Sequence, residues 1–399
     1  MSISKLALTS ALVTSLLALP AIAAAQSEGV MAAQVRVLPI QSVASGKFDA
    51  LTPKTQTKKT RLDYGVWDEA LKHAVIYLGP STRRHMGRPD PLTGTRFVSG
   101  HRSAYRLEGS RVRFSEFDND YKTAISDYRK DLERVADQVD ITQLAKNEQL
   151  AFWLNLHNAA LIEQISQNYP KQYPSDIEIG GVKLHDAKVI TVKGTALSLR
   201  DIRENIVYPN WSSPMVIYGF FLGDIGGPMI QNYAFTGENV NTHLGYNAEE
   251  FVNSLRGAHE ASKNVKVSRI YNDVRQFYFP NFEQDVLAHL LTHARPDVAE
   301  DLRSGKSIKI DRYDRVAADM EGGERARIAR FQVTNDSGQP VDVNASSYRY
   351  LKELDTKFQV LKKRKLVGTG TVTVEDVLPT IDIGALPGTT SDAETPSGE

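Results

Sequence analysis

The sequence predicts an α+β protein, with one helix-rich main domain around a small sheet and a small C-terminal α/β extension. Three observations carry that expectation. Apolar residues recur at helical spacing in several long stretches, while short alternating runs broken by glycine signal hairpins. The character of the chain also changes after residue 322. Of its 399 residues 41% are hydrophobic and 24% charged, ordinary values for a folded globular protein.

In order, residues 1–25 ("MSISKLALTSALVTSLLALPAIAAA") have the anatomy of a signal peptide: Lys5, an apolar run, and Ala23-Ala24-Ala25 before Gln26. No later segment approaches the roughly 20 apolar residues that span a bilayer. The expected product is periplasmic or secreted, without a transmembrane segment after cleavage. Residues 26–60 read as a poorly ordered lead-in and 61–321 as the main domain. Trp67, Leu71, Ala74 and Leu78 predict a helix stopped by Gly79-Pro80. Alternation on both sides of Gly109-Ser110 predicts a hairpin over 105–114, and Tyr121 to Val139 mark an amphipathic helix. "AFWLNLHNAALIEQI" (151–165) predicts a buried helix, and Gly180-Gly181 another hairpin. "MVIYGFFLG" predicts a buried strand closed by "GDIGGP", and two further helices fit "AEEFVNSLRGA" and "FEQDVLAHLLTHA". In the extension, 322–382, a hairpin, a basic helix and the strand "GTGTVTVEDV" are expected, before a disordered tail at 383–399.

Composition excludes several chemistries. The chain has no cysteine, so thiol catalysis, disulfides and Cys-ligated metal centres are absent. Lys+Arg and Asp+Glu balance at 48 each, which together with export argues against a nucleic-acid partner. No cofactor is indicated. "SGKS" (304–307) imitates the end of a phosphate-binding loop, but Glu300 occupies the position of its first glycine.

The polar residues of 151–165 draw attention because everything around them is apolar. At about 100° per residue Asn155 and Asn158 share one helical face, while His157 points away from both. Buried amides require partners, so the pair is expected to clamp a neighbouring loop or to line a polar pocket.

"NEQLAFWLNLHNAALI" resembles the signature of domain-of-unknown-function (DUF) family 547, which carries an Asn-x-Tyr-Asn core in an apolar helix; here His157 stands at the tyrosine. The resemblance runs through "LSLRDIRENIV", "SPMVIYGFFLGDIGGPMI" and "IKIDRYDRVAAD", over about residues 60–320. The family's histidine and two cysteines are replaced by Ile217, Leu222 and Gly227, while Gly223 and Pro228 keep the loop. Its closing Tyr-Asp-Trp survives as Tyr313 and Asp314, with Arg315 in place of tryptophan. The resemblance implies no settled activity, and it looks like a degenerate or repurposed copy.

Other constellations stand beside it. Asp285, His289 and His293 are spaced i, i+4 on one face and form a weak candidate metal site, without an H-E-x-x-H motif. Between Arg83 and Arg113 eight arginines face two acids. Arg83, Arg84, Arg102, Arg106, Arg111 and Arg113 are candidates for holding an anionic envelope component. The functional expectation is a non-catalytic binding or assembly module of the cell envelope. The rival is a thiol-independent, hydrolase-like envelope enzyme with Asn155 and Asn158 orienting substrate and Asp224 or Asp314 as acid or base.

Overall fold

A computed structural model of the chain describes residues 46–88, 101–323, 330–334 and 339–367. The expected signal peptide, the start of the lead-in, part of the arginine-rich run, the strand at 368–377 and the tail lie outside the described residues. The described end of the lead-in is tied down: Lys54 N–H donates to the Thr142 carbonyl (2.8 Å), and Leu51 is buried.

α1 (Gly65–Ala74) is shorter than its apolar spacing predicts. The β-branched and aromatic Val-Ile-Tyr run that follows takes extended backbone as β1 (Val75–Tyr77). β1 pairs antiparallel with β2 (Ser110–Val112), Ile76 opposite Arg111. The hairpin expected over 105–114 is therefore not formed. Gly109, at φ +79°, turns the chain, but the strand after it pairs with β1 instead of with its own neighbour.

α2 (Asn119–Gln138) begins at Asp118, whose side chain accepts from Tyr121 N–H at 2.7 Å, a cap worth about 1 kcal/mol. It lays Ile125, Leu132 and Ala136 against α3 (Lys146–Gln167). α3 is buried continuously from Glu148 to Ser166. Of its two buried carboxylates, Glu163 is held by Arg129 of α2 at 2.5 Å. Two small hairpins follow, β3 (Glu178–Ile179) with β4 (Val182–Lys183) as expected, then β5 (Ile190–Val192) with β6 (Thr195–Leu197). A π-helix (Asp201–Val207) runs into the single turn α4 (Tyr208–Asn210).

The strand expected at "MVIYGFFLG" is instead a 3₁₀-helix, Pro214–Gly219, leading into extended chain. Among the described residues no strand pairs with Pro214–Gly219, and side-chain amides bond its last carbonyls. Asn247 donates to the Tyr218 carbonyl (2.8 Å) and Asn158 to that of Gly219 (3.0 Å). Gly219 sits so close to α3 that a Cβ there would lie 2.7 Å from Leu154.

α5 (Val240–Val252) starts well before the helix predicted from Ala248 and ends short of Arg256. β7 (Ala258–Glu260), β8 (Asn264–Val267), α6 (Arg269–Asp273), α7 (Arg275–Tyr278), α8 (Phe282–His293), α9 (Pro296–Leu302) and β9 (Ser307–Ile310) complete the main domain. β7 is antiparallel and β9 parallel to β8. The fold is α+β, with its strands divided among several small sheets in place of the single one expected. The extension supplies the expected hairpin, β10 (Arg330–Thr334) with β11 (Pro340–Asn344), and α10 (Ala345–Lys363). Tyr350 and Leu354 of α10 cover Leu78, Leu107 and Met320 in a core of their own. Among the described residues no helix is long and apolar enough to cross a membrane.

Candidate functional site

Both asparagines of α3 act as backbone clamps. Asn155 donates to the Phe235 carbonyl (2.7 Å) and accepts from Phe235 N–H (3.1 Å). Asn158 donates to the Gly219 carbonyl (3.0 Å) and accepts from Phe221 N–H (3.1 Å). At 1% and 3% exposure neither amide reaches solvent.

His157 extends the second clamp toward a cavity. Contrary to the helical-wheel reading, it does not turn away from Asn158: its Nδ1 lies 3.0 Å from the Asn158 side-chain oxygen. Its Nε2 is 2.7 Å from Nη1 of Arg203. Arginine can only donate, so Nε2 carries the lone pair and Nδ1 the proton. Burial, reinforced by the Arg203 charge, holds His157 well below its ordinary pKa, which keeps it neutral and fit to accept. Arg203 is 7% exposed, and among the described residues it makes no ion pair with a carboxylate.

Arg203 lines a cavity of about 400 Å³ with Arg200, Arg269, Arg315, His185, Tyr208, Asp224 and Tyr313. Three of these arginines have acids: Arg200 pairs with Asp186 (2.6 Å) and Glu204 (3.0 Å), Arg269 with Asp273 (3.3 Å), Arg315 with Asp176 (3.6 Å). The Asp224 Oδ1 accepts from the Tyr313 hydroxyl (2.6 Å) and from Gly227 N–H (3.2 Å). Burial, with Asp314 nearby, outweighs those bonds and pushes the Asp224 carboxyl up to about 8. At neutral pH Asp224 is therefore mainly a neutral acid, and the cavity wall is net positive. The loop bearing it is anchored by Gly226, whose N–H donates to the Asp314 carbonyl (2.8 Å). A Cβ on Gly226 would lie 2.8 Å from that same oxygen.

Residues 141–252 match a family model described as "Protein of unknown function, DUF547". This stretch is a DUF547 domain. Neither the curated proteins nor the solved structures give a match. The DUF547 match includes the clamps, Arg203 and Asp224, while Arg269, Tyr313 and Arg315 are brought to the cavity from beyond it. Ile217 and Leu222, which stand where a histidine and a cysteine were expected from the resemblance, both line this cavity. Its wall is apolar at those two points, and its chemistry rests on the arginines and Asp224.

Of the catalytic, anion-binding and metal candidates proposed from the sequence, Asp224 alone lines this cavity. Asp314 lies between two cavity residues, Tyr313 and Arg315, and its carboxylate accepts from the Ser103 hydroxyl (2.6 Å) and Val316 N–H (3.1 Å). On α8, Asp285 accepts from Asn281 N–H at the helix start (2.7 Å) and His289 bonds the Tyr218 hydroxyl (2.7 Å). His293 packs edge-on against His289. Among the described residues no group of three such side chains is positioned to hold a metal. The arginine run is engaged internally: Arg83 pairs with Asp301 (2.9 Å), Arg106 with Glu353 (2.7 Å) and Arg113 with Glu116 (3.0 Å). Arg111 donates to the carbonyls of Tyr105, Glu108 and Ser110. Arg84 and Arg102 are exposed.

Arg203 was not singled out from the sequence, although a signal was present. It follows Leu199 by four residues and precedes Ile206 by three, so it holds an apolar-face position in "LSLRDIRENIV".

Proposed function

We propose that the protein is an exported, non-catalytic binding module of the cell envelope whose cavity takes a small anionic group, phosphate or carboxylate, on Arg203. The observation that carries this reading is a buried guanidinium, aligned by a neutral histidine, facing a cavity without a carboxylate partner among the described residues. A buried charge of this kind is costly unless something pairs with it. Guanidinium forms paired bonds with phosphate and carboxylate oxygens, and neutral Asp224 can donate a further hydrogen bond. Export is supported by the arrangement of Lys5, the apolar run and Ala23-Ala24-Ala25. Mass spectrometry of protein from the periplasmic fraction should find Gln26 at the N-terminus; retention of residues 1–25 in that fraction would remove this part of the reading.

Thermal-shift and calorimetric titration with inorganic phosphate and with succinate test the cavity. A ligand at about 100 times its Kd stabilises by roughly 2.7 kcal/mol, a readily measured rise in melting temperature. Arg203→Met should abolish that rise while the protein stays folded. A wild-type protein unmoved by both anions would sink the proposal.

Asp224 favours the competing enzymatic reading, because a carboxyl that keeps its proton to about pH 8 can serve as a general acid. The asparagines do not serve it, being sealed. Hydrolysis of 4-nitrophenyl phosphate or acetate that vanishes in Asp224→Asn would establish that reading.

A further inference from the structure

Pro228 lines the anion cavity, and the next residue, Met229, lines a second cavity of about 660 Å³. We propose that this second cavity is a binding site for a short, uncharged oligosaccharide. It is independent of the anion site in residues and in chemistry.

Three tyrosines define its aromatic surface: Tyr77 at the end of β1, Tyr233 from the chain before α5, and Tyr246 from α5. Tyr77 and Tyr246 are 44% and 54% exposed, and Leu366, 36% exposed, joins them at the rim. These are three of the seven large apolar side chains exposed among the described residues, gathered at one opening. Exposed apolar groups scattered singly need no explanation, whereas a cluster around a concavity marks a contact surface. Tyr233 and Tyr246 are joined through His243, whose ring centroid lies 4.0 Å from that of Tyr233 and 6.0 Å from that of Tyr246.

Polar groups around these rings are unspent. Among the described residues none hydrogen-bonds the hydroxyls of Tyr77, Tyr233 or Tyr246, or the side chain of Asn232. Glu249 makes no ion pair with a described residue. Among the described residues the Arg295 guanidinium reaches only Asp297, at 3.5 Å, and its Nε is buried without a partner.

This combination selects a ligand class. A pyranose ring presents a C–H face that lies on an aromatic ring, and a rim of hydroxyls that donate and accept together. Amide, carboxylate and guanidinium groups each form paired bonds with such hydroxyls. A lipid chain would leave Asn232 and Glu249 without partners. Glu250 is paired with Arg256, and Glu249 and Arg295 offset each other, so this wall has no excess positive charge to attract a polyanion, in contrast to the arginine-lined cavity.

The test uses the mature protein with three trisaccharides: β-1,4-linked N-acetylglucosamine, cellotriose and maltotriose. Saturation-transfer NMR reads the contact, and calorimetry the affinity. At least one sugar should bind with a Kd on the order of millimolar or tighter. Tyr246→Ala should weaken it about tenfold, and Tyr246→Trp should preserve it. Both changes are at an exposed position, so the fold survives them. Arg203→Met should leave sugar binding unchanged, which separates this site from the anion site. Silence of all three sugars, binding unaffected by Tyr246→Ala, or binding of trialanine in place of the sugars would each overturn the proposal.

Discussion

Asn158 joins structure to site, because one side chain fixes the Gly219–Phe221 backbone and, through His157, the Arg203 guanidinium. Asn158→Leu leaves a buried carbonyl and a buried N–H unsatisfied. The expected cost is roughly 2–6 kcal/mol, at about 1–3 kcal/mol for each orphaned group, read from the urea midpoint. Asn155→Leu should cost a similar amount through Phe235, but it leaves Arg203 alone. His157→Phe discriminates further: the acceptor for Arg203 is lost, so anion affinity should fall more than stability does. Asp224 then sets the pH dependence of that affinity. Its carboxyl is neutral below about 8 and negative above, so it stops donating and begins to repel an anion as pH rises through that value. Titrations should show affinity falling above about pH 8 in the wild type and remaining flat in Asp224→Asn; equal pH profiles would remove Asp224 from the site.

At the scale of elements, α10 seals the Leu78–Leu107 core through Tyr350 and Leu354, and fixes its register with polar side chains. Arg106 pairs with Glu353, the Tyr350 hydroxyl donates to the Arg106 carbonyl (2.7 Å), and Lys357 donates to the carbonyls of Gly79 (3.1 Å) and Leu107 (2.6 Å). Burial lowers the Lys357 amine to about 7. A lysine lowered in the fold costs stability in full below that value, and the cost is relieved as pH rises toward its unfolded pKa. Wild type should therefore gain on Lys357→Met between about pH 7 and 10, measured as the difference in urea midpoints. Elements of this kind were legible wherever their pattern is local. α2, α3, α8 and the Gly180-Gly181 turn each carry their own period or turn chemistry. The Pro214–Gly219 helix does not, since a continuous apolar run suits a strand or a helix equally. What decides it is the pair of amides arriving from α3 and α5, a tertiary fact. The site divides in the same way. Asn155 and Asn158 were readable as buried amides that need partners, whereas the convergence of Arg203, Asp224 and Tyr313 depends on how distant segments pack.

The whole molecule has no net charge, yet it buries titratable groups of opposite tendency, and their balance predicts its pH stability. Burial lowers His101 and His185 to about 3, His289 to about 4, and His157 well below its ordinary value. Each histidine is neutral in the fold and becomes charged on unfolding below about pH 6.5, so each loses stability as pH falls through that window. Burial also raises Asp319 to about 6 and Asp224 to about 8. These carboxyls work in the opposite sense, gaining stability on acidification until the unfolded carboxyl also protonates near pH 4. Between about pH 6 and 4 four histidines oppose two acids, so unfolding should take up about two protons net, and stability should fall with acidification. From about pH 6.5 to 7 Asp224 lowers stability as pH rises, from about 7 to 8 Lys357 offsets it, and above about 8 Lys357 alone raises stability, so the steep loss lies on the acid side. Urea unfolding at half-unit steps from pH 4 to 9 measures this slope directly. Asp224→Asn should steepen the acid limb by about one proton, because it removes one of the two opposing groups. An acid limb left unchanged by Asp224→Asn would mean that Asp224 ionises alike in the folded and unfolded chains.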